Sequence, residues 1–301
     1  YETLKARYPK LVYAICTGYG EYGPDKDLPG FDFTAFFARG GYLDSLRQRG
    51  TVPMNVVPGL GDHNVGMNLA AGICAALLQA KLKGVGEKVE TSLFESAIFN
   101  MGMMIQASNY EGIAQNYPID VRKSANPFNA AWRTKDDRFI QTCMPDFNTY
   151  YKAFITAVGR EDLADSQEYF PILTCQEKGL TSELYDIVMD AFSKKTVAEW
   201  TLILEAADIP FALAKNWMEI RNDKQAEANN CFYDMTYSNG NTRRLVRLPV
   251  KFQEMGVPEY KTGPLIGEQG AEVLKELGYE DAQIKEMQDK GALFVWKDER
   301  K

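Results

Sequence analysis

A carboxylate on a glycine-flanked turn is the feature of this 301-residue chain best suited to covalent chemistry. Asp62 stands immediately before the longest apolar helical run, residues 65–82, within the stretch Gly59-Leu60-Gly61-Asp62-His63-Asn64-Val65-Gly66-Met67-Asn68. A carboxylate at a helix start lies at the positive end of the helix dipole, near N–H groups without an intrahelical partner. That position favours the ionised form, which a nucleophile needs. Asp is also a preferred N-cap, so the spacing alone favours capping by Asp62 over catalysis.

The residues around this stretch predict two apolar helices and short strands. Residues 10–16 are almost continuously apolar, as in a buried parallel strand, and a glycine-rich loop follows them. Small residues throughout 65–82 predict a helix buried on several sides. A short strand at 88–91 leads into a second apolar helix, 92–109, with Ser92 as its N-cap and Glu95 in the capping-box position.

Composition narrows the function classes. A net charge of −7 without a basic block argues against nucleic acid as a partner. Gly, Asn and Gln interrupt the most apolar run, so no membrane span is expected. The five cysteines form no CxxC pair, which argues against a disulfide framework or zinc site and favours the cytoplasm. His63 is the single histidine, so a His-rich metal site or a Ser-His-Asp triad is not expected.

Four motifs, in the same order along the chain, resemble those of the class III CoA-transferases, the family of formyl-CoA and carnitine CoA-transferases. They are Pro29-Gly30-Phe31-Asp32, the GDxNxGMx start at 61–68, the turn and strand at 83–97, and the GExxxxVLxELGY pattern at 267–279. Within the family the chain resembles clostridial transferases of amino-acid fermentation. Those enzymes move CoA from an acyl- or enoyl-CoA to a 2-hydroxy acid such as phenyllactate or 2-hydroxyisocaproate.

The resemblance implies a role for several residues. Asp62 matches the nucleophile that forms an aspartyl anhydride and then an aspartyl-CoA thioester. Gly61, His63 and Gly66 would line the substrate pocket or give a bulky thioester room to approach. Leu93 matches a position beside the adenine of CoA. The family holds no permanently bound cofactor or metal; the CoA thioester is a substrate.

Two other functions stay open. Acyl-CoA racemases of the same superfamily use a histidine in the segment that matches Pro29–Asp32, and Phe31 holds that place here. A non-catalytic acyl-CoA-binding subunit is the third possibility, and the intact Asp62 stretch argues against it.

The resemblance also implies an α/β fold with a Rossmann-like large domain, a smaller α+β domain, long linkers and an interlocked homodimer. Residues 1–109 would form the large CoA-binding domain, whose N-terminal part we expect to be missing because the chain begins at Tyr1 within a helical pattern. A linker at 110–133, a small domain at 134–228, a second linker at 229–264 and a return to the large domain at 265–301 would follow.

Overall fold

The computed structural model describes residues 1–110, 112, 116–237 and 239–294, in two compact units, Tyr1–Ala214 and Lys215–Lys301. Each unit contains helices and strands, which confirms the predicted α/β class at that level. The division into 1–109, 110–133, 134–228, 229–264 and 265–301 stays a prediction. Parts of 110–133, 229–264 and 265–301 lie outside the described residues.

The first half of the Tyr1–Ala214 unit contains the candidate site. Its elements are α1 (Glu2–Arg7), β1 (Tyr13–Thr17), a π-helical turn (Asp32–Ala38), α2 (Tyr42–Ser45), α3 (Leu60–Lys83), β2 (Lys88–Ser92), α4 (Leu93–Asn100) and α5 (Gly102–Ala107). Strands β1 and β2 pair in parallel, with Tyr13 opposite Lys88 and Thr17 opposite Ser92. Helix α3 packs so closely on β2 that a Cβ on Gly72 would lie 2.6 Å from Val89 Cγ1.

The N-terminus of α4 agrees with its predicted cap, but its length does not agree with the prediction. The Ser92 hydroxyl accepts a hydrogen bond from the Glu95 N–H at 3.0 Å and donates one to the Glu95 carboxylate at 2.7 Å. The predicted helix 92–109 is instead two helices, because α4 ends at Asn100 and α5 begins at Gly102.

Helix α3 is apolar but largely uncovered within the described chain. Its buried residues are Gly61, Val65, Ala76 and Ala80, whereas Leu82 is 73% exposed. The prediction of burial on several sides is therefore wrong for the single chain, since no described element covers the remaining face.

The length and composition of α3 alone would also allow it to cross a membrane, with a mean hydropathy of 1.4 in its most apolar window. The prediction that Gly, Asn and Gln make this segment too polar to be a candidate membrane span is therefore wrong. A single helix of this kind is weak evidence for a membrane span, since core helices of soluble proteins pass the same test.

The second half of this unit has its own core. Its elements are 3₁₀ turns at Val121–Lys123 and Glu161–Leu163, strands β3 (Ala131–Arg133), β4 (Phe139–Thr142) and β5 (Phe211–Leu213), and helices α6 (Phe147–Ala157), α7 (Ile172–Glu177), α8 (Thr181–Phe192) and α9 (Val197–Ala206). The strands form an antiparallel sheet in the order β3-β4-β5. Aromatic side chains fill the core, where Trp200 stacks on Phe192 with ring centroids 4.2 Å apart.

The Lys215–Lys301 unit contains α10 (Trp217–Arg221), α11 (Lys224–Ala228), the antiparallel pair β6 (Phe232–Thr236) and β7 (Thr242–Val246), and helices α12 (Gly270–Glu276) and α13 (Asp281–Asp289). Tyr233 stacks on Tyr260 at 4.1 Å, and the Arg247 guanidinium lies against both rings.

Candidate active site

The N-terminus of α3 differs from its prediction in one respect. The N-cap is Gly59, whose φ of +84° lies in the left-handed region that favours glycine, and Asp62 is the third helical residue. The first intrahelical hydrogen bond runs from the His63 N–H to the Gly59 carbonyl. Capping by Asp62 is therefore wrong, although Asp62 still lies in the first turn, where the helix dipole favours a negative charge.

A carboxylate from a distant part of the chain caps this helix instead. Asp32, the first residue of the π-helical turn, accepts a hydrogen bond from the Gly59 N–H at 2.6 Å and one from the Gly61 N–H at 2.8 Å. Its side chain is buried, with 8% of the residue exposed. Asp32 therefore satisfies two donors that a glycine N-cap cannot satisfy with its own side chain.

Gly61 is held between this carboxylate and an aromatic ring. A Cβ built on Gly61 would lie 2.4 Å from Asp32 Oδ1 and 2.4 Å from Phe36 Cγ. Phe36 is itself 2% exposed and stacks on Tyr42 at 5.0 Å. Because Gly61 has no side chain, the start of the helix can pack directly against the π-helical turn.

Asp62 lies at the surface of the described chain. Asp62 is exposed, and in the described ranges no group donates a hydrogen bond or forms an ion pair with it. Its charge nevertheless reaches β1. Cys16 is exposed as a residue, but partial burial of its thiol raises the thiol pKa, and the negative charge of Asp62 raises the pKa further. A thiol kept protonated beside Asp62 competes less as a nucleophile.

The two other predicted pocket residues share the exposed start of α3. The His63 ring lies near Gly59, with its Cε1 and Nδ1 atoms 3.9 Å from a Cβ built there. Gly66 is exposed, and no described atom lies within 4 Å of a Cβ built on it. Packing of this chain therefore explains Gly61 but leaves Gly66 available for a substrate contact.

Leu93 lies apart from this open surface. It is 7% exposed and belongs to a buried cluster with Ala35, Phe36, Phe37, Val65 and Ala97. The small exposed area gives an adenine ring little to contact, so packing is the role that this position supports directly. Its contact with CoA stays a prediction.

The glycine-rich loop after β1 packs against the same region. A Cβ on Gly18 would lie 2.5 Å from Gly30 Cα, so the two backbones are in contact. The Arg39 guanidinium lies against the Tyr19 and Phe94 rings, and it pairs with Asp25 at 2.6 Å. This loop therefore joins the π-helical turn and the start of α4 near the carboxyl end of β1.

Comparison with known proteins defines the class to which this site belongs. Residues 1–270 match the model of CoA-transferase family III. The chain belongs to this family, which confirms the predicted family and, with it, the predicted enzyme class of CoA-transferase.

Two relatives and one solved structure give the level of similarity. The chain is 51% identical to cinnamoyl-CoA:phenyllactate CoA-transferase of Clostridium sporogenes over 99% of this chain and 72% of the relative. It is 38% identical to (R)-2-hydroxy-4-methylpentanoate CoA-transferase of Clostridioides difficile over 96% of this chain and 71% of that relative. A crystal structure of a CaiB/BaiF family protein from Brucella suis aligns with a TM-score of 0.74 and 20% identity, over 92% of this chain and 70% of that one. The last similarity concerns the fold alone.

Proposed function

We propose that this protein transfers CoA from an acyl- or enoyl-CoA to a 2-hydroxy acid, with Asp62 as the nucleophile, in amino-acid fermentation. The observation that carries the proposal is an exposed carboxylate, without a polar partner among the residues that the structure describes, in the first turn of a capped helix of a chain 51% identical to a phenyllactate CoA-transferase.

The reaction divides into steps that conserve the thioester bond energy. The Asp62 carboxylate attacks the thioester carbonyl carbon, the C–S bond breaks, and CoA leaves as the thiolate. The thiolate then attacks the Asp62 carbonyl of the mixed anhydride, forming aspartyl-CoA thioester and releasing the first acid as a carboxylate. The incoming hydroxy acid attacks that thioester through its own carboxylate and again frees the thiolate. The thiolate finally attacks the new acyl group, which restores the Asp62 carboxylate.

Each step is an exchange between a carboxylate and a thiolate, so no net proton transfer, metal or redox cofactor is needed. CoA enters and leaves as part of the substrates. The site must instead keep water from the anhydride and thioester. Gly66 and His63 are exposed on the same end of α3 as Asp62, and we propose them as residues that admit the acyl-CoA.

The similarity to the two relatives supports a hydroxy acid with a bulky apolar group. One relative's name specifies phenyllactate and the other's specifies a branched aliphatic hydroxy acid. The higher identity of the first favours an aromatic acid for this chain.

We also propose a Rossmann-like large domain and an interlocked homodimer in the cytoplasm. The uncovered apolar face of α3 supports this assembly, since Leu77, Leu78 and Leu82 are 53%, 57% and 73% exposed. An apolar surface of this kind calls for a protein partner. Sedimentation that gives a monomer at micromolar concentration would contradict the dimer.

The experiment that tests the mechanism is trapping with hydroxylamine. The protein is incubated with cinnamoyl-CoA or with the branched 4-methylpent-2-enoyl-CoA, treated with hydroxylamine, and mapped by mass spectrometry. We expect a hydroxamate at position 62 and none in the Asp62→Asn variant. Turnover without a hydroxamate at Asp62 would refute the covalent route. Rates with phenyllactate and 2-hydroxyisocaproate in the same assay identify the preferred acid.

A further inference from the structure

Asp32 is placed to control the geometry of the neighbouring nucleophile. Its two carboxylate oxygens accept hydrogen bonds from the N–H groups of Gly59 and Gly61, and we call this pair of hydrogen bonds the clamp. One peptide unit separates the clamp from Asp62. We propose that Asp32 is a positioning residue for the transfer reaction: it fixes the backbone of the first turn of α3 and so the direction in which the Asp62 side chain leaves it. This inference rests on the proposed role of Asp62.

The clamp is rigid because its own supports are buried. Asp32 begins the π-helical turn, and Ala35, Phe36 and Phe37 of that turn are 0%, 2% and 1% exposed. The turn therefore carries the buried Phe36 and Phe37 rings and the Asp32 carboxylate on one short segment, so that packing of the rings positions the carboxylate.

The start of α3 depends on this clamp. Gly59 has a left-handed backbone and no side chain, and no local side chain caps the helix. Pro58, which precedes Gly59, has an apolar ring and cannot supply a capping acceptor from its side chain. Without Asp32, the first turn would lose both of its side-chain acceptors and would fray.

Fraying there matters for catalysis more than for substrate affinity. Attack on a thioester requires the carboxylate oxygen within about 3–3.5 Å of the carbonyl carbon, and a misplacement of about 1 Å costs about 10²-fold in rate. A residue that fixes this geometry without touching the substrate should lower kcat and leave KM for the acyl-CoA nearly unchanged.

The test compares Asp32→Asn and Asp32→Ala with Asp27→Asn, a matched control. Asp27 lies five residues earlier on the same segment, is exposed, and its side chain has no hydrogen-bond partner within the described ranges. Asn keeps the size of Asp32 but presents an NH₂ group to one of the two N–H donors, so one hydrogen bond is lost.

We expect kcat to fall by about 10²-fold in Asp32→Ala and by a smaller factor in Asp32→Asn, with KM within about threefold of the wild-type value. Amide hydrogen exchange of residues 59–63 should accelerate by about tenfold in both variants and not in Asp27→Asn. An unchanged exchange rate in residues 59–63 would refute the clamp. Faster exchange with an unchanged kcat would refute the positioning role.

Two measurements separate this inference from the proposed mechanism and from simple unfolding. Exchange at 59–63 reports the clamp whether or not Asp62 is the nucleophile, and hydroxylamine trapping reports the nucleophile in wild-type protein. Hydrogen exchange in the separate core of α6, α8 and α9 monitors global stability. If that core also exchanges faster in Asp32→Ala, kcat is compared in the isosteric Asp32→Asn instead. If kcat falls only in parallel with faster exchange of the core in both variants, the loss reflects unfolding, and the positioning role is refuted.

Discussion

The Oδ1 atom of Asp32 lies 2.8 Å from the amide nitrogen of Gly61, across 29 residues of sequence. This hydrogen bond joins the π-helical turn to the residue that directly precedes Asp62. It makes the start of α3 a composite of two chain segments, and it assigns the capping role to Asp32 instead of Asp62. Asp32 caps the helix, and Asp62, in its first turn, has no hydrogen-bond or ion-pair partner in the part of the chain that the structure describes.

The two glycines that flank Asp62 should respond differently to alanine. In Gly61→Ala the new Cβ meets Asp32 Oδ1 and Phe36 Cγ, each at 2.4 Å, so we expect a loss of about 1–3 kcal/mol in unfolding free energy. In Gly66→Ala the Cβ meets no described atom within 4 Å, so stability should be equal or up to about 1 kcal/mol higher. Urea denaturation measures both.

Activity distinguishes these positions further. If Gly66 gives the acyl-CoA room to approach, Gly66→Ala should raise KM without loss of stability. Gly102→Ala is the control, since a Cβ there also meets no described atom within 4 Å and the residue lies in another helix. Unchanged kinetics in Gly66→Ala would remove Gly66 from the substrate pocket.

His63 should not act as an acid or base with Asp62. Its ring lies one turn back beside Gly59, and successive residues on a helix point in different directions. We expect His63→Gln to keep activity within about a hundredfold of wild type, the lower end of general acid–base contributions. A larger loss in a variant with an unchanged thermal unfolding midpoint would contradict this assignment.

The raised pKa of the Cys16 thiol predicts slow alkylation. Because only the thiolate reacts, a pKa above the ordinary value lowers the reactive fraction at pH 8. Asp62→Asn removes the negative charge that raises this pKa, so alkylation of Cys16 by iodoacetamide should become faster. Burial is the larger cause and persists, so Cys16 should still react more slowly than a fully exposed thiol.

Peptide mapping by mass spectrometry follows Cys16 and Cys74 in the same sample. Cys74 is also exposed, and it lies more than three helical turns from Asp62 along α3. Its rate should not depend on Asp62→Asn. Equal acceleration of both cysteines would indicate general opening of the structure, and no change at Cys16 would contradict the electrostatic contact.

The core of the second half of the Tyr1–Ala214 unit depends on one buried hydroxyl. Thr142 Oγ1 accepts a hydrogen bond from Trp132 Nε1 at 2.7 Å and donates one to the Phe128 carbonyl at 2.5 Å; all three residues are 0% exposed. Thr142→Val keeps the shape but leaves the indole N–H and the carbonyl without this partner. We expect a loss of about 1–3 kcal/mol for each group left unsatisfied. Thr142→Ser, which keeps the hydroxyl, should lose less in the same urea titration.

Interactions over short sequence distances were predictable. The Ser92 cap follows from a Ser and a Glu three residues apart, and so does the reciprocal capping box of Thr196 and Glu199. The parallel pairing of β1 with β2 agrees with the apolar segment and short strand read from the sequence. The predicted burial of β1 is wrong for the single chain, because every residue of Tyr13–Thr17 is exposed or only partly buried. Family motifs identified the class and placed the nucleophile at Asp62, which stays a prediction until it is trapped.

Long-range relationships were not predictable from spacing. Asp32 has no local signal that distinguishes a buried clamp from a solvated loop carboxylate, since its two donors lie 27 and 29 residues away. Leu93 likewise carries no mark in the sequence that separates a ligand contact from a member of a buried cluster.

The motifs of the sequence determined the family and, through it, the α/β class, and apolar periodicity determined the helix whose first turn contains Asp62, because these signals act over a few residues. Only the tertiary structure decided which carboxylate caps that helix. The physical reason is that two backbone N–H groups need an acceptor, no local side chain caps the helix, and packing of the aromatic π-helical turn places Asp32 within hydrogen-bond distance.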